Sequence, residues 1–240
     1  MTGHLHIELA ADAAGRTFIR GQSFHAPMHL SKPHWDGNCL VVQAVNCTAG
    51  LFGGDRIDFS VHAGAGTRAL VTSPSAQRAY PARTADSVAW IEQRFTVEPG
   101  AWLETFPEIF IPHRGARVRQ NTRIDAQSGA ELFYLESLAP GRVGAGEAFA
   151  YERLEWLTEL FLGGKSLVRE RYALEAGGDS VELLRSHFPD AYYASGYLVS
   201  PKLPGVERFR QEIAGLGDAE TRIAASFPVP EVAVIKILAG

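Results

Sequence analysis

Cysteine is nearly missing from this 240-residue chain, which carries only Cys39 and Cys47. Two thiols cannot build a disulfide framework, and no C-x-x-C pair marks a structural zinc. On one unbroken strand they would share a face but lie ~26 Å apart at 3.3 Å per residue, so they cannot chelate one metal. Small buried hydrophobes are their expected role. An excess of one charge is missing too. Lys and Arg total 23 against 27 Asp and Glu, a net charge of −4, which gives no basic field for nucleic acid or an anionic membrane. No apolar run approaches the ~20 residues of a membrane span. The opening Met1-Thr2-Gly3-His4-Leu5-His6-Ile7-Glu8 lacks the layout of a secretory signal. A cytoplasmic protein without nucleic-acid or membrane partners is expected. No G-x-x-x-x-G-K-[ST] loop and no G-x-S-x-G elbow is present. Gly50 to Asp55 and Gly144 to Glu147 are glycine-rich, but each sits between strand-like runs and not before a helix N-terminus.

What the chain has in quantity is glycine, 24 residues or one in ten, a density that suits many short strands. Strand-like runs flank glycine turns repeatedly. Arg56–Val61 leads through Gly64 and Gly66 into Ala69–Thr72. Val88–Phe95 leads through Gly100 into Ala101–Glu104. Val118–Ile124 leads through Gly129 into Ala130–Leu135, and Gly163-Gly164 leads into Ser166–Val168. The last turn glycines, at 66, 100, 129 and 164, are 34, 29 and 35 residues apart. A recurrent hairpin at a period of ~30 residues suggests stacked β coils, although a hairpin-rich sandwich fits the spacing equally well. Ala148 to Leu162 reads as a strand. Val206–Ala214 places Val206, Phe209 and Ile213 on one helical face, with Gly215 and Gly217 as a stop. Phe188–Leu203 looks irregular or strand-like, and Val232–Leu238 is a buried strand by its β-branched content. No linker divides the chain. The expected fold is all-β, one domain over 1–240, with stacked sheets in a solenoid-like arrangement and one or two short helices.

Histidine and carboxylate carry the candidate chemistry. His4 and His6 alternate, so on a strand they face the same way. His25, His29 and His34 cluster between strands, and imidazole suits Ni, Zn and Cu. Asp55 follows Gly53-Gly54, Glu147 follows Gly146, Glu136 ends the run Leu132–Leu135, and Glu170 lies between Arg169 and Arg171. A carboxylate beside apolar strand residues is either paired with arginine or used, and Arg56, Arg142 and Arg171 are available partners. Paired carboxylates such as Asp55 and Glu136 also admit a carbohydrate-active β-solenoid enzyme, with Trp35, Trp90, Trp102 and Trp156 as candidate groove aromatics.

Thr48-Ala49-Gly50-Leu51-Phe52-Gly53-Gly54-Asp55, the turn Gly64-Ala65-Gly66, and Val71-Thr72-Ser73-Pro74-Ser75-Ala76-Gln77-Arg78-Ala79-Tyr80 together resemble the urease accessory protein UreD (UreH) family. The series continues through Gly141-Arg142, Gly146-Glu147-Ala148-Phe149 and Leu167-Val168-Arg169-Glu170-Arg171, covering about residues 20–175. Ala49 stands where the family usually has glycine, Ser73 where it has threonine and Arg78 where it has lysine, and members usually continue past the last strand into a further helical segment. The resemblance implies a β-rich, non-enzymatic maturation factor that binds a UreF-type helical protein. Through it the factor would engage a UreG-type GTPase, with a 2:2 assembly possible. It would dock on apo-urease and deliver Ni²⁺ through a water-filled passage, with transient Ni²⁺ and no tightly bound cofactor. Asp55, Glu136, Glu147 and Glu170 match motif positions and are expected to line that passage, with Gly53, Gly54, Thr72, Ser73, Tyr80, Arg142 and Arg171 as further motif residues. A metal-free interaction module would need the same fold.

Overall fold

The computed structural model describes every residue except 83, 85 and 190. The chain opens with strands β1 (Thr2–Ala11), β2 (Thr17–His25), β3 (Met28–Leu30), β4 (His34–Asp36) and β5 (Cys39–Asn46). Then come β6 (Arg56–Ala63), β7 (Arg68–Thr72), β8 (Gln77–Ala79), β9 (Ala89–Val97), β10 (Trp102–Phe106) and β11 (Phe110–Pro112). The middle closes with β12 (Arg117–Ala126), β13 (Glu131–Leu138), β14 (Gly141–Arg142), β15 (Glu147–Ala148), β16 (Arg153–Leu162) and β17 (Lys165–Glu175). Helix α1 (Asp179–His187), β18 (Tyr192–Val199), helix α2 (Val206–Ala214), β19 (Thr221–Val229) and β20 (Val232–Ala239) complete the chain.

One sheet runs β17-β16-β12-β9-β6-β1-β2 and a second runs β19-β20-β18-β13-β10-β7-β5-β3. Within the first, β1, β6, β9, β12 and β16 are parallel, and within the second so are β5, β7, β10 and β13. The chain passes from the first sheet to the second at the Gly66, Gly100 and Gly129 turns. Neighbouring parallel strands therefore come from successive passes: Arg68 pairs with Trp102, 34 residues on, and Trp102 with Glu131, 29 residues on. These are the intervals between the turn glycines. The mainly β expectation holds, but the first three turns are not hairpins. Their flanking strands lie in different sheets, and only Gly163-Gly164 joins an antiparallel pair, β16 and β17. A glycine at φ +72° (Gly66) or +71° (Gly100) turns the chain equally well toward either destination.

Period-2 alternation aims the apolar residues of both sheets into the space between them. Ile91, Phe95 and Val97 of β9 and Leu132, Tyr134 and Leu138 of β13 are buried there, and the Phe95 and Tyr134 rings meet at 5.1 Å. The helix expected at Val206–Ala214 is α2, whose Phe209 packs edge-on against Phe227 of β19 at 5.4 Å. The segment Ala148–Leu162 supplies β16, and Phe188–Leu203 contains β18, with Asp190 outside the described residues. Helix α1 was not anticipated: only Val181 of its nine residues is buried, and Gly178 before it offers no capping side chain. The cysteines also depart from expectation. Cys39 is half-buried and Cys47, just past β5, is exposed, because the strand ends at Asn46. Among the described residues no helix is long and apolar enough to cross a membrane.

Candidate functional site

The same alternation that buries Leu132 and Leu138 sends Glu136 inward, in the middle of β13 and not at its end. Glu136 lies opposite Ser195 of β18, and Ser195 lies opposite Lys236 of β20. One cross-strand row of the second sheet thus reads Glu136–Ser195–Lys236. The first sheet presents a matching polar row, Gln93–Thr122–Thr158–Glu170, across β9, β12, β16 and β17. The rows meet between the sheets. The Tyr134 hydroxyl shares its one hydrogen between Gln93 Oε1 at 2.9 Å and Glu136 Oε2 at 3.1 Å, and Gln120 Nε2 donates to Glu136 Oε2 at 3.2 Å. Lys236 Nζ binds both oxygens of Glu170 and donates to Ser195 Oγ at 2.8 Å. The hydroxyls of Tyr193 and Tyr197 donate to Glu170 at 3.1 and 2.8 Å.

This polar axis is electrostatically unusual. Glu136 is buried, and its Oε1 has no hydrogen-bond partner among the described residues. Burial pushes its carboxyl up to about 7; Tyr134 and Lys236 oppose that shift and Glu170 adds to it. Burial likewise raises Tyr134, Tyr193 and Tyr197 well above the ordinary phenol range, so all three are donors at neutral pH.

Three cavities follow the axis. One of about 100 Å³ is lined by Thr72, Ser73, Gln77, Gln93 and Tyr134. A narrow one of about 40 Å³ shares Gln77, Gln93 and Tyr134 with it and reaches Gln120 and Glu136. The largest, about 480 Å³, shares Tyr172 and Tyr193 with the narrow one and has Glu170 and Lys236 in a mostly apolar wall. Even the narrow section has room for a water molecule, which needs about 15 Å³ of such volume and two or more polar partners.

Of the carboxylates singled out in the sequence, the fold brings Glu136 and Glu170 together along this axis. Asp55 and Glu147 line none of the three cavities. Asp55 accepts the Met1 ammonium on Oδ1 at 2.7 Å and the Phe52 N–H on Oδ2 at 2.9 Å, bracing the Gly53-Gly54 turn. A Cβ on Gly53 would lie 2.4 Å from Ser87 Oγ, which is why that turn closes over a bare backbone. Asp55→Asn removes the charge facing the ammonium and should cost about 1 kcal/mol. Thermal melting a few degrees below the parent is expected, whereas an unchanged midpoint would mean a freely solvated carboxylate. Glu147 is gripped bidentately by Arg142 at 2.9 and 2.6 Å, and this guanidinium holds its carboxyl down at about 2. Their pairing closes the β14–β15 turn, where a Cβ on Gly141 would sit 2.1 Å from the Glu147 carbonyl oxygen.

The other motif residues sort in the same way. Thr72 donates to the Phe106 carbonyl at 2.6 Å, and Ser73 Oγ accepts the Glu108 N–H at 2.8 Å, so both order the wall of the first cavity. Tyr80 stacks on Phe52 at 4.8 Å and meets His113 at 4.5 Å. Arg171 does not serve Glu170: it faces out beside Arg169, Arg119 and Trp90, and Lys236 is the partner. Adjacent strand residues point to opposite faces, so neither flanking arginine can reach the inward carboxylate. Lys236, Ser195, Gln120 and Thr122 were not picked out in the sequence. Each is a polar residue at the inward parity of an otherwise apolar strand, and that parity was the available signal. Among the described residues no three His, Cys, Asp or Glu side chains already form a metal-holding group.

The family model described as UreD urease accessory protein matches residues 1–240. The urease accessory protein UreD of Opitutus terrae is 41% identical over 219 residues, 89% of this chain and 79% of that protein. The UreD of Deinococcus radiodurans is 36% identical over 190 residues, covering 78% of this chain and 62% of its own length. The UreD of Mycolicibacterium gilvum is 28% identical over 205 residues, 83% of this chain and 72% of its own. The match along the whole sequence agrees with the ordered motif series, whose glycines the fold uses for turns and close approaches: the chain belongs to the UreD family of urease accessory proteins.

Proposed function

We propose that this chain is a non-enzymatic scaffold for nickel insertion into apo-urease. It would bridge a UreF-type helical protein, and through it a UreG-type GTPase, to the urease in the cytoplasm, with Ni²⁺ as transient cargo. The observation that carries the reading is the line of cavities between the sheets, with Glu136 at its narrow section and Glu170 in its wide one. A conduit has to release its ion. Nickel holds nitrogen and sulfur ligands tightly, so hydrated oxygen ligands in series suit passage better than a fixed thiolate or imidazole cage. The axis offers carboxylate, amide and hydroxyl oxygens and no thiol.

The test is nickel loading of apo-urease by the purified accessory proteins, with the parent chain and with Glu136→Gln. The variant should capture its partners as the parent does, yet activate urease several-fold more slowly. Activation at the parental rate would remove Glu136 from the route and with it the observation on which the reading rests.

A further inference from the structure

Three imidazoles stack on the outer face of the first sheet, away from the cavities. Leu5, Ile7 and Leu9 of β1 point into the core, which turns His4, His6 and Glu8 outward. His25 of β2 lies directly across from His4, and Asp58 of β6 lies on its other side. The His4 ring centroid is 4.9 Å from that of His6 and 6.2 Å from that of His25, with both neighbours within 19° of parallel to it. Serines hold one nitrogen of two of these rings: His4 Nε2 shares a hydrogen with Ser23 Oγ at 2.8 Å, and His6 Nδ1 with Ser60 Oγ at 2.7 Å. The opposite nitrogens, His4 Nδ1 and His6 Nε2, have no partner among the described residues.

We propose that His4, with His6 and His25, forms a surface site for one borderline divalent cation of the Ni²⁺, Zn²⁺ or Cu²⁺ class. Imidazole is the side chain these ions prefer, and oxygen-seeking Mg²⁺ and Ca²⁺ are excluded by the same preference. The spacing is right for it. Two imidazoles that share a metal at about 2.1 Å, with an angle of roughly 90–110° between the bonds, have centroids roughly 4.5–5.5 Å apart. The His4–His6 separation already falls in that range, and His25 has under an ångström to close. What the stack lacks is convergence. The rings lie parallel, so a cation is met by their tilting, a motion open to half-buried and exposed side chains at the sheet edge. The serine contacts act as the outer shell of such a site, fixing which nitrogen of His4 and His6 remains free for the ion. The proposal stands independently of the passage between the sheets, since it shares no residue with it.

Calorimetric titration of the untagged full chain with Zn²⁺ and with Ni²⁺ tests this, using His4→Asn, His6→Asn and His25→Asn beside His34→Asn and Glu136→Gln as controls. One equivalent should bind to the parent and to His34→Asn alike, while Glu136→Gln reports separately on cation held in the passage. Affinity for that equivalent should fall at least about tenfold in His4→Asn, and by a smaller factor in His6→Asn and His25→Asn. Broadening or shifting of these three imidazole resonances on adding metal should accompany the binding. Parental affinity in His4→Asn, or loss of the equivalent only in Glu136→Gln, would overturn the assignment. All three side chains are solvent-accessible, so folded variants are expected, and His25→Asn at the exposed end of β2 gives an independent reading should His4→Asn melt early.

Discussion

Above about pH 7 the Glu136→Gln variant is expected to be more stable than the parent, by up to about 3 kcal/mol once Glu136 is fully ionised, and below about pH 4.5 that advantage should be gone. The sign follows from which state holds the proton. Burial lifts the folded-state pKa of Glu136 from 4.5 to about 7, so between those values the folded chain binds a proton that the unfolded chain has released. Stability from this group is therefore intact below the lower value, is lost as pH rises through the window, and is fully lost above the upper one. A glutamine carries no proton to lose, and its carbonyl can still accept from Tyr134 and Gln120, the two donors to Glu136 Oε2. Its amide lies on the side where Glu136 Oε1 has no partner, and its two N–H groups in place of the single O–H of a protonated acid offset part of the gain. Denaturant unfolding of both proteins across pH measures the difference. Parallel stability–pH curves would show that Glu136 titrates normally and is solvated. Combined with slower urease activation, the predicted gain would mark a carboxylate retained at a cost in stability, as functional groups often are.

How much of this was readable in the residues depends on the range of the interaction involved. Strand content was legible because alternation is local: Leu132, Tyr134, Glu136 and Leu138 share a parity, as do Val118, Gln120, Thr122 and Ile124. That parity already places Glu136 inside and sends Arg169 and Arg171 away from Glu170, although mere adjacency suggested Arg171 as a partner. The turn glycines were legible as turns and as a spacing. Which sheet the chain enters after each turn was not, because the hydrogen bonds that decide it, such as the Trp102 N–H to the Thr67 carbonyl at 2.7 Å, join segments about one coil apart. Helix α1 has acidic residues in its first turn and basic ones in its last, but only one buried side chain and no capping side chain to mark it as a packed helix. Lys236 is the plainest case of a non-local partner. A lone lysine in Val232–Leu238 signals something to neutralise, but Glu170 lies 66 residues away and reaches it only through the sheet order.

That pairing sets the second large effect. Lys236→Met should lower stability by about 2–3 kcal/mol at neutral pH. Removing one member of a fully buried pair costs about 3–5 kcal/mol, and this pair falls short of that because the Lys236 side chain is 33% exposed and Glu170 23%. The substitution leaves Glu170 with two tyrosine hydroxyls and no cation, beside a second carboxylate. It also removes the charge that restrains Glu136, whose carboxyl should then titrate still higher and carry the fall in stability to higher pH. Glu170→Gln has the opposite effect on Glu136, since Glu170 is one of the groups raising it, while leaving Lys236 the Ser195 hydroxyl at 2.8 Å and the faces of Tyr193 and Tyr197 at 5.5 and 5.4 Å but no carboxylate in contact. Combining the two substitutions removes both charges and should restore most of what Lys236→Met loses, giving a coupling of about 2 kcal/mol in a double-mutant cycle. Simple additivity would mean that each group is solvated separately and that no pair spans β17 and β20. If the coupling is found and the double variant folds normally, its urease activation separates the remaining roles. A pair that serves only to join the two sheets leaves nickel loading at the parental level in the double variant, whereas a pair whose carboxylate hands on the cation leaves a stable protein that loads urease slowly.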